Sequence, residues 1–260
     1  MAYIVLKFDD LNIETAPSFQ AVHEYCKQLR VPVCFGVIGE SLYDPPESYV
    51  SLLKKMMDEN VELWNHGYYH TESEFSSCFT QQQKESVQLT QDYMKRHIGR
   101  KPVTFGSPHN NSTEKTIGVL SNNFPEIKNY LFMADGSGIS PASQLLMRCN
   151  YEIKPGVVDL DFFRREYDRI REYPYFVMQG HPSFWREEDF ERFKEMLDVL
   201  VNDGHEFVTT EELGEKDISG YINSSTDAWI ESLKSFFVSH DKVYYYGAGE
   251  IGREVYRFMN

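Results

Sequence analysis

The sequence predicts an α/β protein: a (β/α) barrel of seven or eight parallel units with a C-terminal β-α appendage. Two observations carry that prediction. Strand-like and helix-like segments alternate through residues 1–215, and the side chains able to do chemistry recur just after the strands. Alternation of this kind demands a parallel sheet, and this many units favour closure over an open sheet. All C-terminal strand ends of a parallel barrel share one face, where an active site sits.

Residues 3–8 (YIVLKF) open the chain as an apolar, strand-like run that ends on Asp9 and Asp10. Helical periodicity over 18–30 leads to a second strand over 31–38. A helix over 47–59 precedes a strand over 61–64, followed by Asn65, His66 and His70. The longest helical stretch, 81–97, precedes a strand over 102–105 and then Ser107, Pro108, His109 and Asn110. A strand over 130–133 runs into Asp135, and one over 175–178 ends near His181. A helix over 187–201 is stopped by Asp203 and Gly204 before a last strand at 206–208.

Beyond residue 215 the character changes. Residues 216–240 read as a polar linker and an amphipathic helix, and 241–260 as a strand, a turn and the opening of a helix. The turn holds Gly247, Gly249 and Gly252 in the order of a dinucleotide fingerprint. The acidic residue such a site needs about 20 positions later has no counterpart before Asn260. This segment is a truncated start of a nucleotide-binding-like unit or a tight helix–strand packing, and no nucleotide cofactor is expected from it.

Net charge is −14, which argues against nucleic acid or an anionic membrane as the main partner. No apolar run approaches the roughly 20 residues of a membrane span. The first residues do not read as a signal peptide. Cys26, Cys34, Cys78 and Cys149 show no Cys-x-x-Cys spacing and read as buried thiols in a reducing compartment. The expected location is therefore cytoplasmic. Oligomeric state does not follow from the sequence.

Neighbouring side chains on a strand point to opposite sides, so Asp9 and Asp10 are expected to do different jobs. One can bind a metal while the other faces the reacting water. His66 and His70 are four apart and, on a helical turn, would share a face. Two imidazoles and a carboxylate make a three-donor site with a position left open for water. His181, between a strand and Pro182, suits a general acid, with Asp159 or Asp161 as its carboxylate partner.

The ordered motifs FDD, NHGYYH, FGSPHN and VMQGHP resemble those of the polysaccharide deacetylases, the NodB-homology or carbohydrate esterase family 4 enzymes. The resemblance spans about residues 3–210. It implies a distorted barrel, one divalent ion (commonly zinc) and hydrolysis of an N-acetyl group from a sugar. Carried over by position, Asp9 is the catalytic base, Asp10, His66 and His70 hold the metal, and His181 is the general acid. Pro108, His109, Asn110 and Asp135 are expected near the substrate, with backbone N–H groups by Pro108 as oxyanion donors.

One motif departs from the family pattern of Arg-x-Pro-aromatic-Gly. Gly106 stands at the arginine position, His109 at the aromatic one and Asn110 at the glycine one. The charge that orients the base must come from elsewhere or be missing, with Arg148 and Arg164 as candidates. The expected substrate is a nucleotide- or lipid-linked acetamido sugar of surface polysaccharide biosynthesis. The alternatives are a catalytically impaired carbohydrate-binding protein on the same barrel, or an O-acetyl esterase. A two-histidine, one-carboxylate iron oxygenase fits the motif order poorly.

Overall fold

Strand β1 (Tyr3–Leu11) organises the molecule because its two faces differ in kind. Ile4, Leu6 and Phe8 join the main apolar cluster, whereas Lys7 and Asp9 alternate with them and are just as buried. A period of two thus separates an oily layer under the helices from a polar interior. The computed structural model describes residues 1–77, 79–132, 144–145 and 147–216. These all belong to one compact unit, Met1–Ile218. Cys78, Asp135, and the linker, helix and glycine-rich turn from residue 217 onward lie outside the described residues.

The elements follow in β/α order. After β1 come α1 (Ala16–Gln28), β2 (Val33–Val37), α2 (Glu47–Asp58), β3 (Val61–Asn65) and α3 (Thr80–Ile98). Then come β4 (Thr104–Gly106), α4 (Glu114–Asn123), β5 (Asn129–Leu131) and β6 (Gln144–Leu145). A hairpin, β7 (Glu152–Lys154) and β8 (Val157–Val158), precedes α5 (Leu160–Ile170) and β9 (Tyr175–Gly180). The last elements are α6 (Glu187–Asn202), β10 (Glu206–Phe207) and α7 (Thr210–Glu215).

Among the described residues, eight strands form one curled parallel sheet. It runs β9-β1-β2-β3-β4-β5-β6, with β10 beside the first residues of β1. Just beyond β6, Arg148 makes a parallel bridge to Val177 of β9. The helices cover the outer face: Phe19, Val22 and Cys26 of α1 and Phe193, Met196, Leu197 and Leu200 of α6 are buried against it. Inside, the Trp64 indole fills the space between β2 and β4. A Cβ at Gly36 or Gly106 would come within 2.4 or 2.8 Å of that ring, so both positions exclude a side chain.

The α/β class and all seven strands read from the sequence are present, within a few residues of their expected bounds. The short β6 and the antiparallel β7–β8 hairpin were not anticipated. Both are only two or three residues long, too short for a periodic signal. Among the described residues, no helix is long and apolar enough to cross a membrane. Cys26, Cys34 and Cys149 are buried free thiols, and burial pushes those of Cys26 and Cys149 up to about 12.

Candidate metal centre and active site

The site begins with a fault in a strand. Pairing between β1 and β2 runs Lys7 to Cys34 and Phe8 to Phe35, then slips to Leu11 and Val37. The extra residue is a β-bulge, and Asp10 adopts φ +76° within it. The bulge overrides the alternation that would place Asp9 and Asp10 on opposite sides. Both carboxylates approach one imidazole: His66 Nε2 lies 3.2 Å from Asp10 Oδ1 and 4.0 Å from Asp9 Oδ2.

His66 follows β3 directly and is 1% exposed. Its Nδ1 donates to the Gly106 carbonyl at 2.8 Å, which turns Nε2 toward Asp10. His70 Nε2 lies 2.7 Å from the same Asp10 oxygen. The helical turn expected to bring the two histidines together is absent. Left-handed Gly67 (φ +73°) and His70 (φ +56°) fold the loop back, and the two rings sit 5.1 Å apart. Burial raises the Asp10 carboxyl, but hydrogen bonds from His66 and His70 outweigh that and hold it well below the usual range. Burial works against the His70 cation, yet the Asp10 carboxylate prevails and raises its pKa.

Donor atoms of Asp10, His66 and His70 all lie within 4.8 Å of one another. Two neutral imidazole nitrogens and one carboxylate oxygen turned toward a common point suit a divalent ion, with room for a further ligand. The anchor of His66 Nδ1 on a backbone carbonyl is the kind of outer contact that fixes a metal-binding ring. The residues present therefore fit such an ion.

Asp9 is 2% exposed and deeply engaged. Lys7 Nζ lies 2.6 Å from both of its oxygens, and Gln179 Nε2 donates to Oδ2 at 2.7 Å. Burial favours the protonated acid, but Lys7, then His66 and His181, outweigh it and hold Asp9 below the ordinary carboxylate range. Lys7 itself is fully buried, with Nζ 5.1 Å from the ring centres of both Trp64 and Phe132. Gln179 Oε1 in turn accepts from Arg148 at 2.7 Å and from Asn110 at 3.1 Å.

The positive charge near Asp9 thus comes from inside the curled sheet, not from the FGSPHN stretch. Lys7 meets Asp9 directly and Arg148 acts one residue removed, through Gln179. Arg164, the other candidate, pairs with Asp161 on the surface instead. Lys7 was legible in principle, since it stands two residues before Asp9 on a strand and so shares its face.

His181 faces the same cavity from the end of β9. Its Nδ1 pairs with Glu152 Oε2 at 2.6 Å, and its backbone N–H donates to Glu152 Oε1 at 2.9 Å. Trp185 Nε1 donates to that second oxygen at 2.6 Å. Burial alone would lower the His181 pKa, but Glu152 first, and then Asp9, raise it. The expected partners are elsewhere: Asp159 caps α5 by accepting from Phe162 N–H, and Asp161 sits on the surface. Glu152 belongs to the unanticipated hairpin, whose one sequence signal is the Pro155-Gly156 turn.

A cavity of about 390 Å³ joins these groups, lined by Asp9, Asp10, His70, His109, Asn110, Pro155, Gln179, His181 and Phe184. His109 (φ +56°) and Asn110 (φ +51°) reach it from a short turn, Pro108–Asn110, and the His109 ring lies 4.9 Å from that of His70. Pro108 is buried behind them. The N–H groups of Asn110 and Asn111 donate within this turn, to Ser107 and Pro108 carbonyls.

Comparison with known proteins bears on the fold. The family model described as polysaccharide deacetylase matches residues 2–123. No curated protein matches the chain significantly. A family 4 acetyl xylan esterase from Clostridium thermocellum, solved with a cobalt ion, superposes with a TM-score of 0.59 at 17% identity, over 81% of this chain and 89% of that one. A CE4 family pseudoenzyme from Bacillus anthracis gives 0.59 at 15%, over 82% and 66%. A family 4 carbohydrate esterase from Streptomyces lividans, in complex with acetate, gives 0.56 at 14%, over 80% and 91%. At these identities the superpositions establish the shared fold.

Proposed function

Taking as premise that residues 2–123 carry the polysaccharide deacetylase match, we propose that this chain is a metal-dependent hydrolase that removes the N-acetyl group of an acetamido sugar. The observation that carries this reading is the convergence of Asp10, His66 and His70 between a buried carboxylate, Asp9, and a carboxylate-paired histidine, His181. A divalent ion held by the three donors, zinc on our reading, would supply Lewis-acid polarisation and a more acidic water.

The chain's own groups supply the proton transfers. Asp9, kept ionised by Lys7, accepts the proton of the attacking water. Lys7 and Gln179 fix the orientation of that carboxylate. His181 keeps Nδ1 on Glu152, which directs Nε2 to donate to the departing sugar nitrogen. Its raised pKa keeps more of it protonated near neutrality. Such general acid–base help is worth about 10²–10⁴-fold. Pro155 and Phe184 give the cavity an apolar wall on the side of His181.

We further propose a nucleotide- or lipid-linked precursor of surface polysaccharide as substrate, in the cytoplasm. Its support is the net charge of −14, which disfavours acidic polymers, and the three buried free thiols. An O-acetyl esterase is the second reading, because an ester needs less help from His181 than an amide does. Acetate release from N-acetylhexosamines, their nucleotide-linked forms and O-acetylated sugars should be measured side by side. Turnover of an N-acetyl substrate, abolished by Asp9→Asn with metal content unchanged, is the expected result. Ester-only turnover would favour the esterase. Tight sugar binding unaffected by Asp9→Asn, with no turnover of either class, would leave only a binding protein.

A further inference from the structure

Glu74 lies outside the cavity's lining and takes no part in the chemistry above, yet it is 8% exposed and heavily bonded. Its Oε1 accepts from the backbone N–H of Tyr68 at 2.7 Å and of Tyr69 at 3.1 Å, and its Oε2 from that of Thr71 at 3.3 Å. The Ser86 hydroxyl of α3 also donates to Oε1 and anchors the carboxylate to the scaffold. From this geometry we infer that Glu74 is the positioning residue for the metal donor His70. The inference rests on the reading that Asp10, His66 and His70 hold an ion.

Backbone N–H groups away from water need acceptors. A six-residue loop with two left-handed residues cannot satisfy its own N–H groups as a helix does. His66 N–H donates to the Val37 carbonyl and Gly67 N–H to Asn65 Oδ1. The Gly67 and Tyr68 carbonyls are taken by Gly39 and Glu40 N–H groups, with Thr90 on the former as well. All of these hold the first half of the loop. The residues flanking His70, Tyr69 and Thr71, have Glu74 as the acceptor of their N–H groups. The two carboxylate oxygens therefore straddle the backbone of His70 and sustain its left-handed turn toward Asp10.

Other features fit this role. A carboxylate makes stronger hydrogen bonds to N–H groups than a neutral oxygen does, so it holds an irregular loop firmly. Gly67 leaves space for it, since a Cβ there would lie 2.8 Å from Glu74 Oε1. Both Glu74 oxygens are engaged by donors of the loop and of α3.

The test is affinity for Zn²⁺ and Co²⁺, measured on the full chain by competition with a chromophoric chelator. Glu74→Ala should weaken binding by about 10-fold or more, as loss of an outer contact to a metal ligand does. Glu74→Gln keeps an acceptor on one side of His70 and should lose less. In a His70→Ala background, Glu74→Ala should cost no further affinity. Should Glu74→Ala not fold, Glu74→Gln and Ser86→Ala carry the same comparison against His70→Ala. Tight wild-type binding left unchanged by these variants would overturn the inference alone, as would an equal loss with and without His70. A wild type that binds neither ion would remove the metal site and the inference together.

Discussion

Asp9 and Lys7 form a buried pair in which each member makes the other tolerable. Removing one partner of such a pair commonly costs about 3–5 kcal/mol, because the remaining charge stays buried alone. Lys7→Met should therefore lower stability by about that amount in urea unfolding, and lower turnover by roughly 10²-fold or more through loss of an oriented base. The double variant Lys7→Met/Asp9→Asn should regain much of the stability and none of the activity. A Lys7→Met protein with normal turnover would remove Lys7 from the account. Lys7 also marks a limit of what the sequence alone discloses. Asp9, Asp10, His66, His70 and His181 stand out by residue type and position after strands. Lys7, Gln179 and Glu152 do not, because a lysine inside a strand, a lone glutamine and an exposed-looking glutamate carry no sign of burial until the barrel closes around them.

At the scale of elements, regular pieces were legible and irregular ones were not. The principal strands and helices have apolar periods that fix their faces, as in the alternation of Ile4, Leu6 and Phe8 with Lys7 and Asp9. The site is built on departures from those periods: a bulge at Asp10, left-handed turns at Gly67, His70 and His109, and a short hairpin carrying Glu152. None of these has a pattern of its own, since each is imposed by contacts distant in sequence. The hairpin makes a test possible. Glu152 raises the His181 pKa, so activity that needs protonated His181 should fall only as pH rises through that raised value. Glu152→Gln removes the carboxylate and should shift the alkaline limb of kcat/KM to lower pH. Stability has the same sign: the His181–Glu152 contribution is full below the unfolded histidine value and is lost as pH rises through the folded one. An alkaline limb that stays in place would mean that His181 is not the group titrating.

The unit Met1–Ile218 reads as one curled parallel sheet, apolar where the helices pack on it and polar within, whose strand ends carry the candidate site. Its interior is not a filled hydrocarbon plug. Lys7, Asp9, Trp64 and Gln179 form a continuous base beneath the cavity, and the loops around it present the metal donors. The proposed reactivity rests on an ion held by Asp10, His66 and His70, whose donor atoms lie within 4.8 Å of one another. Metal content of purified protein by elemental analysis, wild type beside His66→Ala, is the most direct test. The account predicts about one divalent ion per chain in the wild type and its loss in the variant. Absence of any ion from the wild type, even after incubation with zinc or cobalt, would contradict it and make the histidine pair structural.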